Sequence, residues 1–310
     1  MQIFSAVGNG LGQLFGYVLW FFFDLFDNYI LAVICFTVVI KLFMFPFELK
    51  SRKANAKTMG LNKKRLEIQK RYKNDRQKQS EEIAKLYEQE GVNPAGGCLP
   101  QLIPAFSFMG VYFAIVRPLT NMFHIAADKV SQAEAILPSI VGSGVKLNQY
   151  YSQLDVIKYF PKAQSLFNMF SESEAHDIHD FHMGFNFFGM DLSPTPAGSS
   201  FYEFVWIWPV LCVLTMVLSV FIGQKLNTMP TPEGQGCMKF MPYAMSLPYI
   251  FFVFYAPAAI GFYYLIVNIL TIGQNFVISK FYNSHILTAR EEAARIALRD
   301  IEERKVQKRY

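Results

Sequence analysis

Charge is scarce in this chain. Asp, Glu, Lys and Arg make up 17% of its 310 residues, where a soluble domain carries about a quarter. Only 4 cysteines occur and none form a C-x-x-C pair, so no disulfide framework or thiolate metal site is indicated. There is no Walker loop, zincin motif or Ser–His–Asp set, and Gly8-Asn9-Gly10 does not make a phosphate loop. The N-terminus shows no basic n-region with a small-residue cleavage site and no Arg-rich transit pattern. No inverted repeat divides the spans into two equal halves. These absences argue against a soluble enzyme, a disulfide-stapled secreted domain and a repeat-built transporter, and no cofactor or metal is expected.

Apolar residues are abundant instead. They account for 52% of the chain, aromatics for 16%, and Phe alone for 31 residues. Mean hydropathy is +0.21. The expected fold is an all-α polytopic membrane protein. Five stretches are long and apolar enough to cross about 30 Å of hydrocarbon: residues 28–47, 98–119, 204–223, 240–256 and 258–281. The last two meet at Pro257, which leaves room only for a hairpin turn. The segment 1–27 is rich in aromatics and carries Asp24 and Asp27. It reads as a helix lying along the membrane interface, with an extra span as the other option.

Basic residues set the orientation. Only Lys41 occurs in 1–47, whereas 13 Lys and Arg crowd 48–97 and 8 fall in 280–310; residues 121–202 hold 4 against 8 acids. The loop 48–97, the short loop 224–239 and the tail 282–310 are therefore expected in the cytosol, with 120–203 outside, the N-terminus out and the C-terminus in. Within 48–97, Ser51–Tyr72 and Arg76–Glu90 are built of good helix formers, with Asn74-Asp75 as turn chemistry between them. An antiparallel helical hairpin is expected there. Its 7 acidic residues weigh against RNA as a ligand. In the outer loop, Asp128–Leu137 and Lys162–Phe170 read as short helices, and Asp191–Ser200 as an irregular lead-in to the third span. The tail Thr288–Gln307 reads as a partly solvated helix.

Lys41 carries the most information. It stands about 16 Å into the first span, where a charge costs about 2.5–3.5 kcal/mol on insertion scales. No Asp or Glu lies within another span to pair with it. Either a hydrated cavity receives the ammonium or the side chain snorkels to the cytosolic interface. The last span places Tyr264, Asn268, Thr271 and Asn275 on one helical face, with Gln274 beside it. Gln101 enters the second span, and Thr215 and Ser219 lie in the third. Interhelical hydrogen bonding alone would account for such residues; together with Lys41 they suggest a polar groove. His176, His179 and His182, interspersed with Asp177 and Asp180, have metal-compatible spacing, but the loop they sit in reads as flexible and no metal is assigned. The 13 Met residues read as span filling.

A resemblance joins these features. Thr37-Val38-Val39-Ile40-Lys41-Leu42 is followed by Pro46 and the Lys-rich hairpin, which ends in Lys85-Leu86-Tyr87 and then Gly91-Val92-Asn93-Pro94-Ala95-Gly96-Gly97-Cys98-Leu99-Pro100. This resembles the YidC/Oxa/Alb insertase family, as does Tyr263-Tyr264-Leu265-Ile266-Val267-Asn268 followed by Thr271 and Gln274. Two departures are that Lys41 stands where the family usually has Arg, and that the second span opens Gln101-Leu102-Ile103-Pro104 with a different Gln and Pro placement. The missing large outer domain matches the shorter form of Gram-positive bacteria.

The resemblance implies a five-span core in a bacterial cell membrane. It also implies a cytosol-open groove with one positive charge, at Lys41; the polar residues read above, Gln101, Thr215, Ser219, Tyr264, Asn268, Thr271, Gln274 and Asn275, are then expected to line it. Such a groove receives hydrophilic segments of nascent membrane proteins without covalent chemistry. The implied partners are the nascent chain, the lipid bilayer, the ribosome through 48–97 and 282–310, and the Sec translocon, with the protein working as a monomer. A transporter or channel using the buried Lys as an anion site, and a membrane assembly scaffold, are the competing readings.

Overall fold

A computed structural model describes residues 2–91, 99–142, 145, 147–148, 150–187, 190–200, 203–226, 241–281 and 284–307. In chain order the helices are α1 (Gln2–Phe26), α2 (Tyr29–Gly60), α3 (Asn62–Arg71), α4 (Arg76–Gln89), α5 (Leu99–Val116), α6 (Pro118–Asn121), α7 (Ala127–Val141), α8 (Ser152–Tyr159), α9 (Gln164–Phe167), α10 (Glu172–Gly184), α11 (Ile207–Leu226), α12 (Met241–Tyr255), α13 (Ala258–Phe281) and α14 (Ser284–Gln307). One two-stranded antiparallel ladder, β1 (Asn186–Phe187) and β2 (Met190–Asp191), interrupts them. The chain is an all-α polytopic membrane protein. Among the described residues, four helical stretches are long and apolar enough to cross a membrane: Ala6–Phe26, Tyr29–Lys53, Phe204–Leu226 and Ala258–Phe281. Helices α5, with 18 residues, and α12, with 15, are shorter.

The chain divides into two compact units. The first comprises Met1–Phe43, Pro104–Leu218 and Met245–Leu270. Here α1 is held by close backbone approach. A Cβ on Gly12 would sit 2.7 Å from the Asn121 amide and 2.8 Å from Phe113, and Gly8 and Gly16 abut the Phe113 ring and the Asn121 carbonyl. Asn121 itself is buried and donates to the Phe113 carbonyl at 2.8 Å. Farther along, Phe23 meets Phe123 and Phe181 edge-on. Asp27, at φ 47°, breaks the chain between α1 and α2, and the Asn28 carboxamide caps α2 through the Ile30 and Leu31 amides.

The segment 120–203 departs from what its sequence suggests. It is a packed helical assembly. Asp128–Leu137 lies within the longer α7, Lys162–Phe170 contains only the single turn α9, and α8 and α10 are additional helices. Leu154, Val156, Phe160, Leu166, Ile178, Phe181 and Leu192 are buried together as its core. The His-rich stretch is the regular helix α10 and not a flexible loop. Ser171 and Glu174 form a reciprocal capping box at its start. The assembly also reaches the α12–α13 turn, where the Ala258 and Ala259 amides donate to the Pro194 and Leu192 carbonyls at 3.0 and 2.9 Å. Two orphan donors at the start of α13 are thereby satisfied.

The second unit comprises Met44–Ile103, Ser219–Ala244 and Thr271–Tyr310. The expected first arm of the hairpin, Ser51–Tyr72, is not one separate helix: α2 runs unbroken from the span to Gly60, and α3 follows after Leu61. Leu61 and Tyr87 are buried against each other with Ile83 packed beside them. Asp75 caps α4 by accepting from the Lys78 amide, and Gln79 bridges to the Gln69 carbonyl at 3.3 Å. Helices α3 and α4 thus form the antiparallel pair that the turn at Asn74-Asp75 implied.

Candidate functional site

Lys41 is set by α2. Val33, Phe36, Thr37 and Ile40 bury one stripe of this helix, and Lys41 continues it, half-buried. It is the midpoint of the Tyr29–Lys53 apolar stretch, about 18 Å along the helix from either end. At 100° per residue, Glu48 and Arg52 point within about 20° of the same direction. The polar face of α2 therefore runs on past Lys41 toward its basic end.

In the first unit, Asn268 is buried and donates to the Cys212 carbonyl at 3.1 Å and to the Thr215 hydroxyl at 3.3 Å. Thr215 also bonds back to the Leu211 carbonyl on its own helix. The Tyr249 hydroxyl lies 3.3 Å from the Cys212 sulfur, and its ring meets Tyr264 edge-on at 4.8 Å. The Tyr264 hydroxyl is buried with no hydrogen-bond partner among the described residues. Thr215, Tyr264 and Asn268 thus gather into one cluster between α11, α12 and α13.

The second unit holds the rest. Gln274 donates to the Glu48 carboxylate at 2.7 Å, and Arg52 donates to the Asn275 carboxamide oxygen at 2.9 Å. Asn275 and Ser219 are buried. Gly223 lets α11 approach, since a Cβ there would stand 3.1 Å from the Asn275 nitrogen. Thr271 is half-buried on the same face. The Gln101 side chain, and most of the run from Gly91 to Pro100, lie outside the described residues. Glu48 and Arg52 are the residues that sequence reasoning missed. Their signal is present: opposite charges at i and i+4, at i+7 and i+11 from Lys41.

The His cluster has a plainer geometry. His176 Nδ1 lies 3.0 Å from Asp180, and His179 Nδ1 3.6 Å from the other oxygen of the same carboxylate. Burial raises the Asp177 carboxyl above its ordinary range and lowers the His182 imidazole. No group of three or more His, Cys, Asp or Glu suited to a metal occurs among the described residues.

The profile of the family described as 60Kd inner membrane protein matches residues 21–285. Among curated relatives, the "Membrane protein insertase YidC" of Pelodictyon phaeoclathratiforme is 28% identical over 254 residues, 82% of this chain and 33% of that protein. The protein of the same name from Janthinobacterium sp. (strain Marseille) is 28% identical, covering 83% and 35%. That of Haemophilus influenzae is 27% identical, covering 84% and 35%. The chain spans about a third of the length of these curated relatives.

Proposed function

The chain belongs to the family described as 60Kd inner membrane protein and is a multi-pass bacterial membrane protein, and on that premise we propose that it is a membrane protein insertase and chaperone. It takes hydrophilic segments of nascent membrane proteins into a positively charged intramembrane groove open to the cytosol, and releases their spans into lipid. The observation that carries this reading is a lysine at the centre of an apolar 25-residue stretch, on a helix whose polar face continues to the basic end.

The physics is one of shortened paths. A polar backbone or side chain left unsatisfied in hydrocarbon costs several kcal/mol per group. A wet groove reaching to the depth of Lys41 removes about half of that crossing. The ammonium is a compact charge with three donors, suited to hold an acidic or carbonyl-rich segment for a short time. Gln101, Thr215, Ser219, Tyr264, Asn268, Thr271, Gln274 and Asn275 supply exchangeable hydrogen bonds along the groove. No covalent step or nucleotide enters.

In this reading, 48–97 and 282–310 face the cytosol and 120–203 lies outside, as the basic residues direct. Helix α1 lies along the outer interface. In support, the partners described above for Gly8 to Phe23 come from residues 113–123 and 181, past the middle of α5 or outside it. The hairpin α3–α4 and helix α14 receive the nascent chain and the ribosome, the Sec translocon is a further partner, and one copy suffices.

The test is insertion of a small single-span protein into liposomes holding the purified chain, read by protease protection of the translocated tail. Protection well above empty liposomes is expected. Protection equal to empty liposomes would contradict the proposal and favour a scaffold role.

A further inference from the structure

The Glu48–Gln274 and Arg52–Asn275 bonds have a chemistry that the groove reading leaves unused. Both charged side chains stand on α2, at i and i+4. Each bonds to a neutral carboxamide of α13: Gln274 offers an N–H to Glu48, and Asn275 offers a carbonyl to Arg52. One amide N–H and one amide C=O are what a peptide unit presents. The two amides thus imitate a stretch of backbone laid against α2. Four residues of helix rise about 6 Å, close to the roughly 6.6 Å after which an extended chain presents backbone groups to the same side again.

We propose that Glu48 and Arg52 form a subsite for the unpaired backbone of an extended polypeptide segment, occupied in this structure by the side-chain amides of Gln274 and Asn275. The inference rests on the insertase reading and adds to it. Lys41 bears a single charge and favours acidic or carbonyl-rich segments, whereas one carboxylate and one guanidinium together carry no net charge. Such a pair accepts backbone of any sequence. An entering segment displaces the two carboxamides, exchanging one amide N–H and one amide C=O for another of each, so that neither half-buried charge loses an amide partner during the exchange. The Gly223 contact keeps Asn275 beside α11, so the site is built from three helices and not from loose surface chains.

The test uses the full chain in liposomes and a single-span protein whose short Gly/Ser/Asn tail bears a photo-crosslinker. Crosslinks to residues 44–56 are counted by mass spectrometry for wild type, Glu48→Ala/Arg52→Ala and Gln274→Ala/Asn275→Ala. Removing the receptor pair should lower these crosslinks about tenfold, the loss expected for charged hydrogen bonds. Removing the two carboxamides should raise them, because the competing occupant is gone. Replacing the tail with an acidic one should leave both ratios unchanged. If the carboxamide variant instead loses crosslinks as the receptor variant does, the four residues are only a structural clasp and the proposal is wrong. If wild type inserts the protein but no variant crosslinks to 44–56, the subsite is wrong while the insertase reading stands. If wild type inserts nothing above empty liposomes, both fall.

Discussion

Asn268 illustrates how one side chain serves both packing and polarity. Its carboxamide bonds α13 to the Cys212 carbonyl and Thr215 hydroxyl of α11, so Asn268→Leu should destabilise the protein by about 0.6–1.7 kcal/mol. Thermal melting in detergent measures this, and no change would mean that α11 and α13 hold by shape alone. Asp155 gives a second test. It is half-buried and accepts from the Asn148 amide at 2.7 Å, yet burial raises its carboxyl above the ordinary range. A raised carboxylate binds its proton more tightly folded than unfolded, so its contribution to stability falls as pH rises through the folded value. Asp155→Asn should therefore raise the melting temperature at neutral pH, and the gain should shrink at mildly acidic pH. An equal gain at both would show that charge is not the cause. At this scale the sequence was informative about Lys41, through its depth in an apolar run, and about Tyr264, Asn268 and Asn275, which helical periodicity gathers and which are buried on α13. It was less so for Glu48 and Arg52, which resemble the first charges of a cytosolic loop until α2 is seen to continue through them.

At the scale of elements, caps and glycines decide. The capping box of Ser171 and Glu174 should make Ser171→Ala cost about 1 kcal/mol, read as faster amide exchange in residues 172–176; unchanged exchange would mean that packing alone holds the first turn. Gly16 abuts the Asn121 carbonyl, leaving no space for a side chain. Gly16→Val should detach the first half of α1 and open it to protease, while Gly10→Ala, which meets nothing nearby, should not. Equal resistance of the two variants would contradict a seated α1. The capping box was written in the sequence as Ser-Glu-Ser-Glu, but the short apolar stretches around it carry too few turns to show a helical period. The seating of α1 was illegible for a different reason, since Gly8, Gly12 and Gly16 find their meaning only in Phe113 and Asn121, about a hundred residues away.

For the whole molecule, the apolar stretches made the helical membrane architecture readable, because bilayer thickness acts on composition directly; the orientation that the blocks of basic residues direct belongs to the proposal. Long-range packing of residues 120–203 has no such direct mark, and its core was found only from the fold. The proposed function turns on the charge at the centre of α2. Insertion of a single-span protein with an acidic tail should be compared for wild type, Lys41→Arg and Lys41→Ala in liposomes, by protease protection of the tail. A cytosol-open groove built around that charge predicts insertion by wild type and Lys41→Arg, and a loss of about tenfold or more for Lys41→Ala, as expected when a charged partner is removed from a poorly solvated site. Insertion by Lys41→Ala at the wild-type level would contradict it and leave Lys41 as a side chain that reaches out to the interface.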